Sequence, residues 1–454
     1  MTRNDPYQQS PETRLKPPTT WAGTLKHLGP GFILSASIVG SGELIATTHL
    51  GATAGFVVLW VILVSCLVKV AVQLEFGKQA ILTGRTTMES LNALPGPRFG
   101  KANWSIWMWL LLMVVKPLQS GAIVGLVAII LSMLIPAIAV WIWCVIVAIL
   151  VSSLVYRGYY GLVEKASLVM MGLFTFLTLL SLFQLQWTPN AIAWPDITSG
   201  LSFQMPAAVA WVALGAFGIT GVGGDEIMAY NYWLIEKGYA RYAGPREDNQ
   251  QWVDDARGWI GVMYIDAVLA MLVYTVMTVA FFLLGAAILH DSGPVPPPNE
   301  IVETLSRIYT ETLGLPAKYL FLFGALAVLF STLLASLAAW TRLYSDAAGQ
   351  VGVLDYRDVK QRHKGLAFFA WLFPAVWAAC YLFFTAPAAM VIIGGVATTV
   401  ILFIVAGAAL WFRYHESDDR LTPGRIYDVA LWASSISIAG VGLLGVWKLF
   451  FARD

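Results

Sequence analysis

Charge is scarce in this chain. Asp, Glu, Lys and Arg make up 12% of its 454 residues, where a soluble globular domain carries about 25%. With a hydrophobic share of 58%, that shortage excludes an ordinary soluble domain. The formal net charge is only +1, so no basic field is available for a nucleic acid. Cysteine is nearly absent, and Cys66, Cys144 and Cys380 stand apart in apolar stretches. They offer no disulfide framework and no Cys-based metal site; such residues act as small buried hydrophobes. No phosphate loop or dinucleotide fingerprint occurs in a strand–helix setting, and no Ser–His arrangement is readable. The expectation is a non-enzyme with no resident cofactor. Residues 1–20 lack the apolar core of a cleavable signal peptide. Polar and Pro-containing, they read as a disordered cytoplasmic tail, which extends to residue 28.

Long apolar segments fill the rest. A helix needs about 20 apolar residues to cross a bilayer. Such windows lie near 29–55, 56–76, 104–133, 134–155, 164–185, 204–235, 258–289, 318–346, 365–385, 388–412 and 426–451. These predict an all-α polytopic membrane protein of eleven spans, with residues 29–454 as one transmembrane domain in the lipid bilayer. Residues 292–298, rich in proline, read as a stiff external linker, followed by a short external helix over 299–313. The charged stretch from Ala243 to Arg257 reads as exposed surface. With the N-terminus inside, Lys and Arg cluster on the inner side, over 3–26, 78–101, 237–257 and 342–364. Only Arg307, Lys318, Lys448 and Arg453 fall outside. By the positive-inside rule, the N-terminus is cytoplasmic and the C-terminus external. The cell membrane is the expected location, and a monomer the expected state.

One phrase occurs twice, each time within a long apolar segment. The first copy is Gly40-Ser41-Gly42-Glu43-Leu44-Ile45-Ala46, and the second is Gly223-Gly224-Asp225-Glu226-Ile227-Met228-Ala229. Each glycine weakens a helix by about 1 kcal/mol against alanine. A charged side chain at mid-membrane costs roughly 2.5 kcal/mol or more. Gly-interrupted segments in corresponding positions of two halves mark a transporter with discontinuous helices around a midplane site. Spans 1–5 (about 29–185) and 6–10 (about 204–412) then form an inverted pair, because a five-span repeat reverses direction, and span 11 (about 426–451) is appended. This predicts a five-plus-five inverted-repeat fold with spans 1 and 6 broken.

The motif Gly29-Pro30-Gly31-Phe32, followed after seven residues by Gly40-Ser41-Gly42-Glu43, resembles the opening of the Nramp family of divalent-metal transporters. The likeness continues without a gap to Trp60, then through Gln73, Lys78, Thr83 and Gly84. The run Phe330-Ser331-Thr332-Leu333-Leu334-Ala335-Ser336-Leu337-Ala338 is similar to that family's eighth span. The resemblance implies the same fold and a transport role. The departures fall where chemistry is expected. The family's span-1 metal ligands, an Asp and an Asn, correspond here to Gly40 and Glu43. Its Met-Pro-His run in span 6 corresponds to Val222-Gly223-Gly224-Asp225, within one or two residues. Its span-3 acids correspond to Lys116-Pro117-Leu118-Gln119-Ser120, which has none.

Glu43, Asp225 and Glu226 are the expected metal ligands, with Gly40 and Gly223 shaping the substrate site. A helix break frees backbone carbonyls, and carbonyls with carboxylates suit hard ions of the Mg²⁺, Mn²⁺ or Ca²⁺ class. Asp225 and Glu226 are adjacent, so both cannot easily face one point. Lys116 either pairs with an acid, as a gate, or snorkels to the surface. His49, one to two turns beyond Glu43, is either an external vestibule ligand or proton acceptor, or a hydrogen-bonded interior histidine. Asp266 and Lys69 read as structural partners or as cytoplasmic-edge charges. The reading is a transporter or facilitator of a small hard divalent cation, working by alternating access without proton coupling. The alternatives are a symporter of a small organic cation or amino acid, and, from another class, a non-transporting receptor.

Overall fold

Glycines divide the first long apolar stretch, Pro30–Thr83, a helical run of 54 residues. In this computed structural model, residues 5–157, 160–290, 302–303, 306, 310, 314 and 316–450 are described. The proline-rich linker 292–298, most of the expected helix 299–313, and residues 451–454 lie outside them.

Span 1 is Pro30–Ile38, then a π-turn Ser41–Thr47 and a helix Thr48–Ala54. Gly55, at φ +62°, turns the chain into span 2, Leu59–Thr83. Span 3 is bent, as Trp104–Leu112 and Pro117–Leu134. Spans 4 and 5 are Val140–Tyr156 and Tyr160–Gln184. Span 6 is split into Ala210–Ile219 and Gly224–Lys237. Spans 7 to 11 are Gln250–Leu289, Pro316–Val351, Val359–Phe383, Pro387–Trp411 and Arg425–Phe450. By length and composition, 8 stretches among the described residues can cross a membrane, the first holding spans 1 and 2. Span 4 and the apolar part of span 5, Gly172–Trp187, are shorter apolar helices.

The packing repeats with an offset of five, as an inverted repeat requires. Span 3 lies on span 10, and span 8 on span 5; span 1 lies on span 7, and span 6 on span 2. Two expected boundaries move. Span 2 runs past residue 76 because its polar end is satisfied internally, with Lys78 on Glu75 at 2.7 Å, both buried. Span 7 starts before residue 258, where the Asn249 side chain accepts the Trp252 N–H at 2.7 Å and caps the helix. Part of the stretch expected as surface is thus helical, with Trp252 fully buried.

Residues 5–17, expected as a disordered tail, are instead laid against the bundle. The Tyr7 hydroxyl donates to Glu236 at 2.7 Å. Asp5 pairs with Arg362 at 2.8 Å, and Arg357 donates to the Tyr7 carbonyl. The Leu15 N–H donates to the Tyr242 carbonyl at 3.1 Å, and the Trp259 indole to the Leu15 carbonyl at 2.9 Å. The segment is short of apolar residues, but polar anchors on spans 6, 7 and 9 and the loops beside them hold it.

Candidate substrate site

Span 1 starts where Asp266 of span 7 accepts the Gly29 and Gly31 N–H groups at 2.9 and 2.6 Å. That carboxylate caps the helix and matches its positive N-terminus, which makes Asp266 a structural partner. The helix then stops at Ile38. Gly40 takes φ −143° and ψ −96°, and a Cβ there would stand 1.9 Å from the Thr332 hydroxyl oxygen. Span 8 therefore approaches the break as closely as only glycine permits. In span 6 the first half ends at Thr220, and Gly221 adopts the left-handed φ of +61°. A Cβ on Gly42 would stand 2.9 Å from the Ile219 carbonyl oxygen, so the two breaks cross.

Glu43 lies at that crossing with no exposed surface. Its Oε1 accepts from the Thr278 hydroxyl at 2.9 Å and from the Gly221 N–H at 3.4 Å. Among the described residues, Oε2 has no hydrogen-bond partner. A buried carboxylate oxygen left this way calls for a cation or a proton. Glu226, on the far side of the break, is half-buried and folds back over Gly223, where a Cβ would meet its Oε2 at 2.3 Å.

Asp225 is answered differently. Lys116, at the bend of span 3, places Nζ 3.1 Å from Asp225 Oδ1. It also donates to Gln119 and to the Thr398 hydroxyl, each at 2.7 Å. The Trp340 indole donates to Asp225 Oδ2 at 3.3 Å. Both charges are buried, so of its two readings Lys116 pairs rather than snorkels.

Asp225 and Glu226 also line a cleft of about 10 Å³ with Ser37, Ala229, Trp233 and Trp340, room for about one water. At the end of span 6 nearest the N-terminal segment, Arg342 stacks over Trp233 at 4.8 Å and grips Glu236 at 2.6 and 2.8 Å. Tyr7 completes that closure. Burial, with Glu236 beside it, raises the Tyr7 pKa well above its ordinary value and keeps the hydroxyl a donor.

The structure thus brings Gly40, Glu43, Gly223, Asp225, Glu226 and Lys116 to one region. The three acids do not form a single ligand set, because Asp225 turns to Lys116. Among the described residues, no three His, Cys, Asp or Glu side chains converge as a ready metal group. His49 is half-buried in the outer half of span 1 and makes no hydrogen bond to these acids among the described residues. Sequence reasoning missed Thr278, Thr332, Thr398 and Trp340. Their one signal is a hydroxyl or an indole inside an otherwise apolar run.

The profile of natural resistance-associated macrophage protein-like (Nramp) proteins matches residues 31–448. An uncharacterized protein of Pasteurella multocida is 27% identical over 345 residues, covering 74% of this chain and 73% of that one. A mutant manganese transporter of Eremococcus coleocola superposes with a TM-score of 0.66 at 15% identity, covering 98% of this chain and 93% of that one. MhsT in complex with L-phenylalanine superposes with a TM-score of 0.59 at 14% identity, covering 96% and 100%. At such identities the two structures bear on the fold alone.

Proposed function

Because the chain belongs to the Nramp family, a family of metal transporters with the LeuT-like fold, we propose that it carries a hard divalent cation by alternating access, with Glu43 as the principal ligand. One observation carries this reading: the Oε2 of Glu43, fully buried and without a partner among the described residues, at the crossing of two broken helices. Glu226, which folds back over Gly223 at the other break, adds a second carboxylate. Oxygen donors favour Mg²⁺, Mn²⁺ or Ca²⁺ over softer metals. The protein sits in the cell membrane with its N-terminus cytoplasmic, a reading supported by the Lys and Arg distribution.

Transport is uncoupled from protons. Span 3 offers a lysine where the family has acids, and that lysine is held by Asp225. The membrane potential supplies about 2.3 kcal/mol per charge per 100 mV, enough to draw in a divalent ion unaided. A second reading, a small organic cation, is favoured by the same ion pair, since it occupies Asp225 and leaves Glu43 to meet an ammonium group. The test is uptake into proteoliposomes at clamped potential, with a pH dye inside. Saturable Mn²⁺ or Mg²⁺ uptake without acidification upholds the proposal. Acidification that scales with uptake overturns the uncoupled mechanism, and uptake of amines but neither metal installs the second reading.

A further inference from the structure

Among the described residues, Lys69 is the buried charge near the breaks that the proposed transport reaction leaves unused. It stands in the middle of span 2 with no exposed surface, where a lysine is costly without compensation. Its Nζ donates to the carbonyls of Phe217 and Thr220, the latter at 2.8 Å. These belong to the last turn of the first half of span 6, which carries the negative end of a helix dipole. The Ser65 hydroxyl bonds the same two carbonyls at 3.0 and 2.9 Å. The ammonium also lies 4.8 Å above the Phe217 ring. No carboxylate pairs with Lys69 within ion-pair distance among the described residues. Carbonyl oxygens at a half-helix C-terminal end are the coordination that a free monovalent ion finds at a broken helix.

We propose that Lys69 is a tethered co-ion: its ammonium fills the monovalent-cation seat at the break of span 6. The next residue after Thr220, Gly221, donates its N–H to Glu43, so a single turn of backbone links the seat to the substrate carboxylate. The built-in charge holds that turn in shape and offsets Glu43 in the empty state. Transport then runs without Na⁺ or K⁺. The inference concerns a seat separate from the substrate carboxylates and stands whatever cation they carry.

The test is Lys69→Ala, which empties the seat and leaves its oxygens. Unfolding midpoints of purified protein are measured without substrate in NaCl, KCl, NH₄Cl and choline chloride at equal ionic strength. An ion at ten times its dissociation constant favours the folded state about 11-fold. The variant should therefore melt about 1–2 °C higher in at least one small-cation salt than in choline. Wild type and Lys69→Arg should melt alike in all four. A variant indifferent to the cation makes Lys69 a merely structural lysine and overturns the proposal. Should the variant fold in no salt, wild-type uptake decides. Equal rates in Na⁺, K⁺ and choline uphold the tethered charge, and a rate that rises with Na⁺ or K⁺ refutes it.

Discussion

At the break of span 6, Asp225 meets an ammonium at 3.1 Å and an indole at 3.3 Å. At the break of span 1, Glu43 meets only a hydroxyl and one backbone N–H, and one carboxylate oxygen meets nothing among the described residues. The two phrases carrying these acids are near copies in sequence. Their difference lies in what the rest of the fold brings opposite them: the bend of span 3 delivers Lys116 to one, and span 7 delivers Thr278 to the other. A filled acid holds the protein together, and an open acid is free for a ligand. The repeat thus supplies two breaks, and their surroundings divide the labour.

The largest expected effect breaks the filled side. Lys116→Met leaves Asp225 buried and unpaired, a change that costs about 3–5 kcal/mol. The double variant Lys116→Met/Asp225→Asn removes both charges and should recover most of that loss in denaturation experiments. Equal instability of the single and double variants would show that the pair is not what answers Asp225.

Smaller effects come from the glycines. In Gly40→Ala the new Cβ meets Thr332 at 1.9 Å from its hydroxyl oxygen and 2.8 Å from its Cβ, an overpacking of about 1–3 kcal/mol. Thr332→Ala should relieve part of it. Gly223→Ala instead meets the movable end of Glu226, so cation affinity should fall while the melting point changes less than for Gly40→Ala. The reverse ranking in a thermal-shift series would mean that the span-6 break is the tighter crossing.

The smallest effect lies at the rim, with Asp418 outside the spans. Hydrogen bonds from Arg420, above all, hold its carboxyl down to about 2, below the ~3.9 of an unfolded aspartate. A depressed folded value means that the contribution is full above that unfolded value and is lost as pH falls from about 4 toward 2. The melting-point gap between wild type and Asp418→Asn should therefore be present at pH 7 and shrink toward pH 3. A gap that stays constant with pH would point to shape rather than charge.

Much of this architecture is legible in the sequence, because glycines and carboxylates inside apolar runs are expensive and therefore informative. The broken spans, the inverted pairing and the choice of Glu43, Asp225 and Glu226 all rest on that expense. Which acid is answered is not legible. Lys116, Thr278, Trp340 and Thr398 come from four other spans, and no local pattern ties them to the breaks. Lys69 reads as a structural partner or a cytoplasmic-edge charge until Phe217 and Thr220 turn their carbonyls toward it. The ordered N-terminal segment is hidden for a similar reason. Its polar residues resemble a tail, and only the positions of Glu236, Arg357 and Arg362 make anchors of them.

The central claim is that the span-1 acid is open to a cation and the span-6 aspartate is not. Calorimetric titration of Mn²⁺ into purified wild type, Glu43→Gln and the Lys116→Met/Asp225→Asn double variant tests it directly. Wild type and the double variant should bind with affinities within about tenfold of each other, while Glu43→Gln should lose about 100-fold or more, ~2.7 kcal/mol. Wild-type affinity in Glu43→Gln, with binding lost in the double variant, would contradict the account.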